Sequence, residues 1–181
     1  MTGRKNSGKG AAMKHIFLLL LCPLTLAGCS DAPSAHLYCP NVRVLAQTSS
    51  LTRFLPGRQD AGAEVFSARI TGVAGACALE DNGVVRVTFQ AGFSAINGPA
   101  NHGQTVSLPY FVAEAQDDAI ISKTLGTIAV PFNGNLSTAA ATSQKLTVEV
   151  PNERSTAHME ILIGFQLNQD ELAYAAAHPV P

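Results

Sequence analysis

The stretch "VVRVTFQAGF" (84–93) constrains this chain more than any other. Val85, Val87, Phe89, Ala91 and Phe93 recur at every second position, with Arg86, Thr88 and Gln90 between them. A period of two sorts residues onto opposite faces of a strand, so the apolar face needs a second layer to cover it. Just upstream, Asp81-Asn82-Gly83 follows another apolar run, "ACALE" (76–80). Asn-Gly between two such runs predicts a hairpin with a type I′ turn, in which both central residues take positive φ.

The pattern returns along most of the chain. "NVRVLA" (41–46), "AEVFSARITGV" (63–73), "VSLPYFVAEA" (106–115), "AIISKTLGTIAVPF" (119–132), "QKLTVEVP" (144–151) and "HMEILIGFQL" (158–167) all read as strands. In the run 144–151, Leu146, Val148 and Val150 face inward while Lys145, Thr147 and Glu149 face outward. About seven or eight strands with polar turns predict an all-β chain, closed as an immunoglobulin-like antiparallel β-sandwich. The chain has no Trp, and its cysteines stand early, which separates it from a true immunoglobulin domain. Residues 51–62, 94–105 and 133–143 read as irregular connections. A short C-terminal helix is predicted over 171–177: Asn168 caps it, Glu171 completes a capping box, and Leu167 with Leu172 forms a hydrophobic staple.

The first thirty residues are of another kind. Arg4, Lys5, Lys9 and Lys14 precede the apolar run "HIFLLLLCPLTL" (15–26). A bilayer span needs about 20 apolar residues, and this run is shorter and broken by Pro23. A positive start, a short apolar run and small residues after it make a secretory signal. Its end, Leu26-Ala27-Gly28-Cys29, resembles the lipobox of bacterial lipoproteins. That resemblance implies a diacylglyceryl thioether on Cys29 Sγ and cleavage after Gly28. The expected organisation is a signal over 1–28, a lipidated Cys29 with a short linker to 38, and one domain over 39–181. Ser30, where Asp would signal retention, implies the outer membrane by the enteric sorting pattern. Met13 opens a compact signal of its own and is a second candidate start.

Cys22 leaves with the signal and Cys29 carries lipid, so two of the four cysteines remain, Cys39 and Cys77. In an oxidising compartment a disulfide between them is expected, the alternative being two separate thiols. Neither stands in a C-x-x-C knuckle and no histidine pair joins them, so no metal site is expected. Without the four leader cations the chain holds 8 basic and 13 acidic residues, net −5. An acidic domain with no basic run argues against nucleic-acid binding.

No catalytic pattern stands out. Gly92-Phe93-Ser94-Ala95-Ile96 begins like a nucleophile elbow, but Ile96 stands where the second Gly is required. Asp117-Asp118 reads as a turn. The histidines are isolated. No catalytic residue and no cofactor are expected. The best candidate interaction surface is "LTRFLPGR" (51–58), where Arg53, Phe54 and Arg58 set an aromatic between two guanidinium groups. The competing structural role has Phe54 plugging an end of the sandwich while the arginines pair with Asp60 and Glu64.

Several short pieces, in this order, resemble a group of uncharacterised alphaproteobacterial lipoproteins: "CP" (39–40), "LTRFLPG" (51–57), "ARI" (68–70) with Cys77 following, "LPYFV" (108–112), "VPF" (130–132) and "GFQLNQDELAY" (164–174). The resemblance implies a lipid anchor and a β-rich domain, and brings no activity. The expectation is a cell-envelope lipoprotein, non-enzymatic, held in the membrane through Cys29. It would serve as a structural or protein-interaction module with an envelope partner. The alternative is a small-ligand or glycan binder using the loop end of the sandwich.

Overall fold

The computed structural model describes residues 39–151 and 158–179. The signal at 1–28, Cys29 and the linker to 38 lie outside the described residues. Within them are nine strands and one helix: β1 (Asn41–Val44), β2 (Ser50–Phe54), β3 (Glu64–Leu79), β4 (Val84–Asn97), β5 (Val106–Gln116), β6 (Ala119–Val130), β7 (Thr138–Thr142), β8 (Leu146–Pro151), β9 (Met159–Phe165) and α1 (Gln169–Ala177).

Two sheets face each other as a sandwich. The first runs β1-β9-β5-β6; the second runs β2-β3-β4, with β7 and β8 sharing the far edge of β4. Every pairing is antiparallel except β1 with β9, which is parallel. The architecture is the all-β sandwich with a short C-terminal helix that the alternation predicts. Its connections are its own: the last strand, β9, lies between β1 and β5.

Alternation fixes the core. Val85, Val87, Phe89, Ala91 and Phe93 of β4 are all buried, as is Ala95 beyond them. Val148 and Val150 of β8 extend this face beside β4, and Ile161, Ile163 and Phe165 of β9 close over it from the first sheet. Phe93 meets Tyr110 at 5.4 Å and Phe165 at 5.9 Å between ring centroids, tying the two sheets at mid-height.

The turns differ from expectation in an instructive way. Gly83 has φ +76°, but Asn82 is not among the residues with positive φ. Gly83 N–H donates to the Glu80 carbonyl and Glu80 N–H to the Val84 carbonyl, giving a three-residue loop with one left-handed position. The type I′ geometry occurs instead at Asp117-Asp118, where both residues have positive φ, +48° and +67°, between the paired Gln116 and Ala119. Strands are also longer than the sequence suggested. Residues 51–54, 94–97 and 138–142, read as irregular, belong to β2, β4 and β7.

"AEVFSARITGV" and "ACALE" merge into the single strand β3, bulged where Ile70 pairs Phe93 but Gly72 pairs Gly92. The bulge changes parity. Phe66, Ala68 and Ile70 face inward before it, and Val73, Gly75 and Cys77 lie opposite the inward Ala91, Phe89 and Val87 after it. Gly75 is required there, since a Cβ would strike the Phe89 side chain and the Thr88 carbonyl. Cys77 thereby faces the other sheet and is paired with Cys39 just before β1, with Cα atoms 6.0 Å apart. The expected pairing of Cys39 with Cys77 is present, and it joins the two sheets at one end.

Ser143 sits at the break between β7 and β8 and is buried. Its Oγ accepts from Ala91 N–H at 3.0 Å and donates to the Gln144 carbonyl at 2.8 Å, while its own N–H donates to the Ala91 carbonyl. The serine replaces the ladder where the edge changes strand. Asn101 is also buried and braces the β4–β5 loop, its side-chain amide donating to Asn97 Oδ1 and the Gln104 carbonyl.

Candidate functional site

Arg53 and Phe54, at the end of β2, both turn toward α1. Successive strand residues ordinarily point to opposite faces, but the β2–β3 register shifts between Arg53 and Phe54, and the two side chains reach residues three apart on one face of the helix. Arg53 Nη2 lies 2.8 Å and Nε 2.9 Å from Glu171 Oε1. Its guanidinium also stands 5.4 Å from the centre of the Phe66 ring. Phe54 packs edge-on against Tyr174 at 5.0 Å. Arg58 bonds Asp60 within its own loop at 2.8 and 2.9 Å, and hydrogen bonds from Arg58 hold the Asp60 carboxyl below the usual carboxylate range.

Helix α1 is positioned by its own start. Asn168 Oδ1 accepts from Glu171 N–H, and Glu171 Oε2 accepts from Asn168 N–H, completing the predicted capping box. Leu167 packs on the core, but Leu172 stays 44% exposed, so the staple contributes little. One carboxylate therefore caps the helix with one oxygen and binds β2 with the other. The groove that remains, about 630 Å³, is lined by residues 52–59 and by Asn168, Asp170, Glu171 and Tyr174. Sequence reading found the capping box and the arginine separately; nothing in a one-dimensional pattern links residues 118 apart.

A second groove, about 500 Å³, lies on the outer face of the second sheet. Two cross-strand rows form its floor: Ser50, Arg69 and Ser94 in one, Thr52, Ser67, Ile96 and Thr138 in the next. Tyr174 and His178 of α1, stacked at 4.1 Å, form a wall. Of the arginines in the described residues, Arg43, Arg53, Arg58 and Arg86 each bond a carboxylate, whereas Arg69 bonds none among the described residues. An uncommitted guanidinium among hydroxyls, beside a ring stack, suits a polar or anionic ligand. Sequence analysis missed Arg69; its signal would have been alternation in β3, which sets it outward between Ala68 and Ile70.

The remaining candidates are dispersed. Ser94 lies within β4 and not at a strand end. His102 is an exposed loop residue with φ +53°. His158 Nδ1 is 3.8 Å from Asp117 Oδ1, both side chains well exposed. Among the described residues no group of His, Cys, Asp and Glu is placed to hold a metal ion.

No family model, no curated protein and no solved structure matches this chain.

Proposed function

We propose that this protein is a lipid-anchored cell-envelope lipoprotein whose sandwich is a non-enzymatic structural or protein-interaction module close to the membrane. The observation that carries the reading is the tetrapeptide Leu26-Ala27-Gly28-Cys29 at the end of a positively started apolar run. The Cys39–Cys77 pair supports it, because such bonds persist in oxidising compartments such as the periplasm. Ser30 favours the outer membrane, facing the periplasm. The resemblance to alphaproteobacterial lipoproteins points the same way. The interaction surface proposed first is the β2 end with α1, where Arg58 and the rim of the groove remain exposed.

Mass spectrometry of the protein made in a bacterial envelope tests the anchor. The expected result is a mature chain beginning at an acylated Cys29. A Cys29→Ala chain that stays membrane-bound and is cut elsewhere overturns it. A second reading, a binder of small polar ligands or glycans, is favoured by uncommitted Arg69 in the hydroxyl-lined groove. It moves the site from the loop end to the outer face of the second sheet. Glycan binding that survives Arg69→Ala refutes that placement.

A further inference from the structure

The described chain starts at Cys39, and the end of the sandwich around that entry carries exposed isoleucines. Asn41, Glu160, Ala115 and Ile120 form one cross-strand row of the first sheet. Three inter-strand steps of about 4.8 Å place Ile120 roughly 14 Å across the sheet from Asn41. In β6, Ser122 pairs Glu114 and Ile120 pairs Ala115, so Ile121 is an extra residue without a partner in β5. Bulges re-aim side chains, and here both Ile120 and Ile121 are 56% exposed. The second sheet does not cover this half of the strand: apart from half-buried Ser122, residues 119–125 are exposed.

A single exposed isoleucine is ordinary. Two adjacent ones, turned out by a bulge beside a hairpin tip, form an apolar projection with a particular place in the molecule. Residues 29–38 can span at most roughly 30 Å. The 14 residues of β4 run about 46 Å along the sandwich. A lipid on Cys29 therefore holds the Cys39 end near the bilayer, and that end is where the isoleucines project.

We infer that the tip of the β5–β6 hairpin, through Ile120 and Ile121, is a second, apolar contact of the domain with the lipid surface, resting on the anchored-lipoprotein reading. Asp117 and Asp118 beside it are repelled by anionic headgroups, so the contact is with neutral lipid and is not a charge attraction. It orients the domain with the β5–β6 tip at the membrane. The far loop end, with α1 and the β2 groove, is left free for a partner.

The chain has no Trp, so one introduced tryptophan reports its surroundings alone. Acylated full-length protein is reconstituted in phosphatidylcholine vesicles with brominated acyl chains. Ile121→Trp is compared with Leu136→Trp, an exposed position in the β6–β7 connection at the opposite end. The expected result is bromine quenching several-fold stronger for Ile121→Trp, with its emission shifted to the blue. Equal quenching in protein that floats with the vesicles overturns the contact while leaving the anchor standing. A blue shift of Ile121→Trp that depends on protein concentration, without quenching, also overturns it and shows the β6 edge pairing with a second copy. Wild-type protein that does not float with vesicles overturns the anchor and the contact together.

Discussion

Replacing Glu171 by Ala should loosen α1 from the sandwich, and its cost can be worked from three bonds. Glu171 is the one carboxylate that is buried among the described residues, at 8% exposure. Losing the return bond to Asn168 N–H removes half of a capping box, worth about 1 kcal/mol. Losing Oε1 leaves the Arg53 guanidinium on the Phe66 ring with no anion. A charge-assisted bond is worth about 1.5–3 kcal/mol when sheltered. Arg53 is 37% exposed, however, so solvent screening brings that contribution to about 1–2 kcal/mol. Together the loss is about 2–3 kcal/mol. At about 2–4 °C per kcal/mol for a chain of this size, the melting temperature should fall by roughly 4–12 °C. Glu171→Gln has one acceptor oxygen where Glu171 uses two. It can keep the Asn168 N–H bond, but its amide NH2 then faces Arg53, so it should lose the Arg53 bonds alone and cost about 1–2 kcal/mol. Thermal unfolding followed by far-ultraviolet circular dichroism measures both. A Glu171→Ala protein within about 0.5 kcal/mol of wild type would refute the reasoning, since that is the range of an ordinary surface change. The same logic separates the arginines: Arg53→Ala should lower the melt, and Arg58→Ala, whose partner sits in the same exposed loop, should leave it in place.

Removing the Cys39–Cys77 bond with the Cys39→Ser/Cys77→Ser pair should destabilise the domain by about 4 kcal/mol in the chain-entropy model, given the 38-residue separation; denaturant titration of both proteins measures it, and equal midpoints refute it. Asp118→Gly relieves a left-handed position that favours glycine and should stabilise the β5–β6 hairpin by about 0.5–1 kcal/mol, read as a higher melting temperature; a lower one contradicts the turn assignment. Hydrogen bonds from Arg43 hold the Glu160 carboxyl below the usual carboxylate range. A depressed folded pKa contributes stability that is present above the unfolded value, about 4.3, and lost as pH falls through the folded one. Acid unfolding of Arg43→Ala should therefore begin at higher pH than that of wild type, and coincident acid curves would count against the pair.

Packing layers were legible in this sequence and long-range register was not, for a physical reason visible in particular residues. The faces of β4 and β8 follow from a period of two, and burial of Val85 through Phe93 on alternate positions obeys it. Cysteine arithmetic found Cys39 with Cys77 because the expected processing, with Cys22 in the leader and Cys29 carrying lipid, leaves no competitor. The parity change that aims Cys77 inward depends on the bulge at Thr71-Gly72, which "RITGV" does not announce. The turns were exchanged for a similar reason. Asn-Gly has the stronger local preference for paired positive φ, yet the three-residue loop there satisfies the β3–β4 register with a single left-handed glycine. Asp-Asp has the weaker preference but must span adjacent partners, Gln116 and Ala119, in two residues, and only a type I′ or II′ turn does that without splaying the strands. Local propensity lost to register at both hairpins. The candidate site shows the same division. Arg53 and Phe54 stood out as anchors by type. Whether an anchor serves a partner or the fold depends on what lies across from it, and here Glu171 and Tyr174 do. Arg69 is plain by type and alternation, and stands out only because each of the other arginines of the described domain has found an acid.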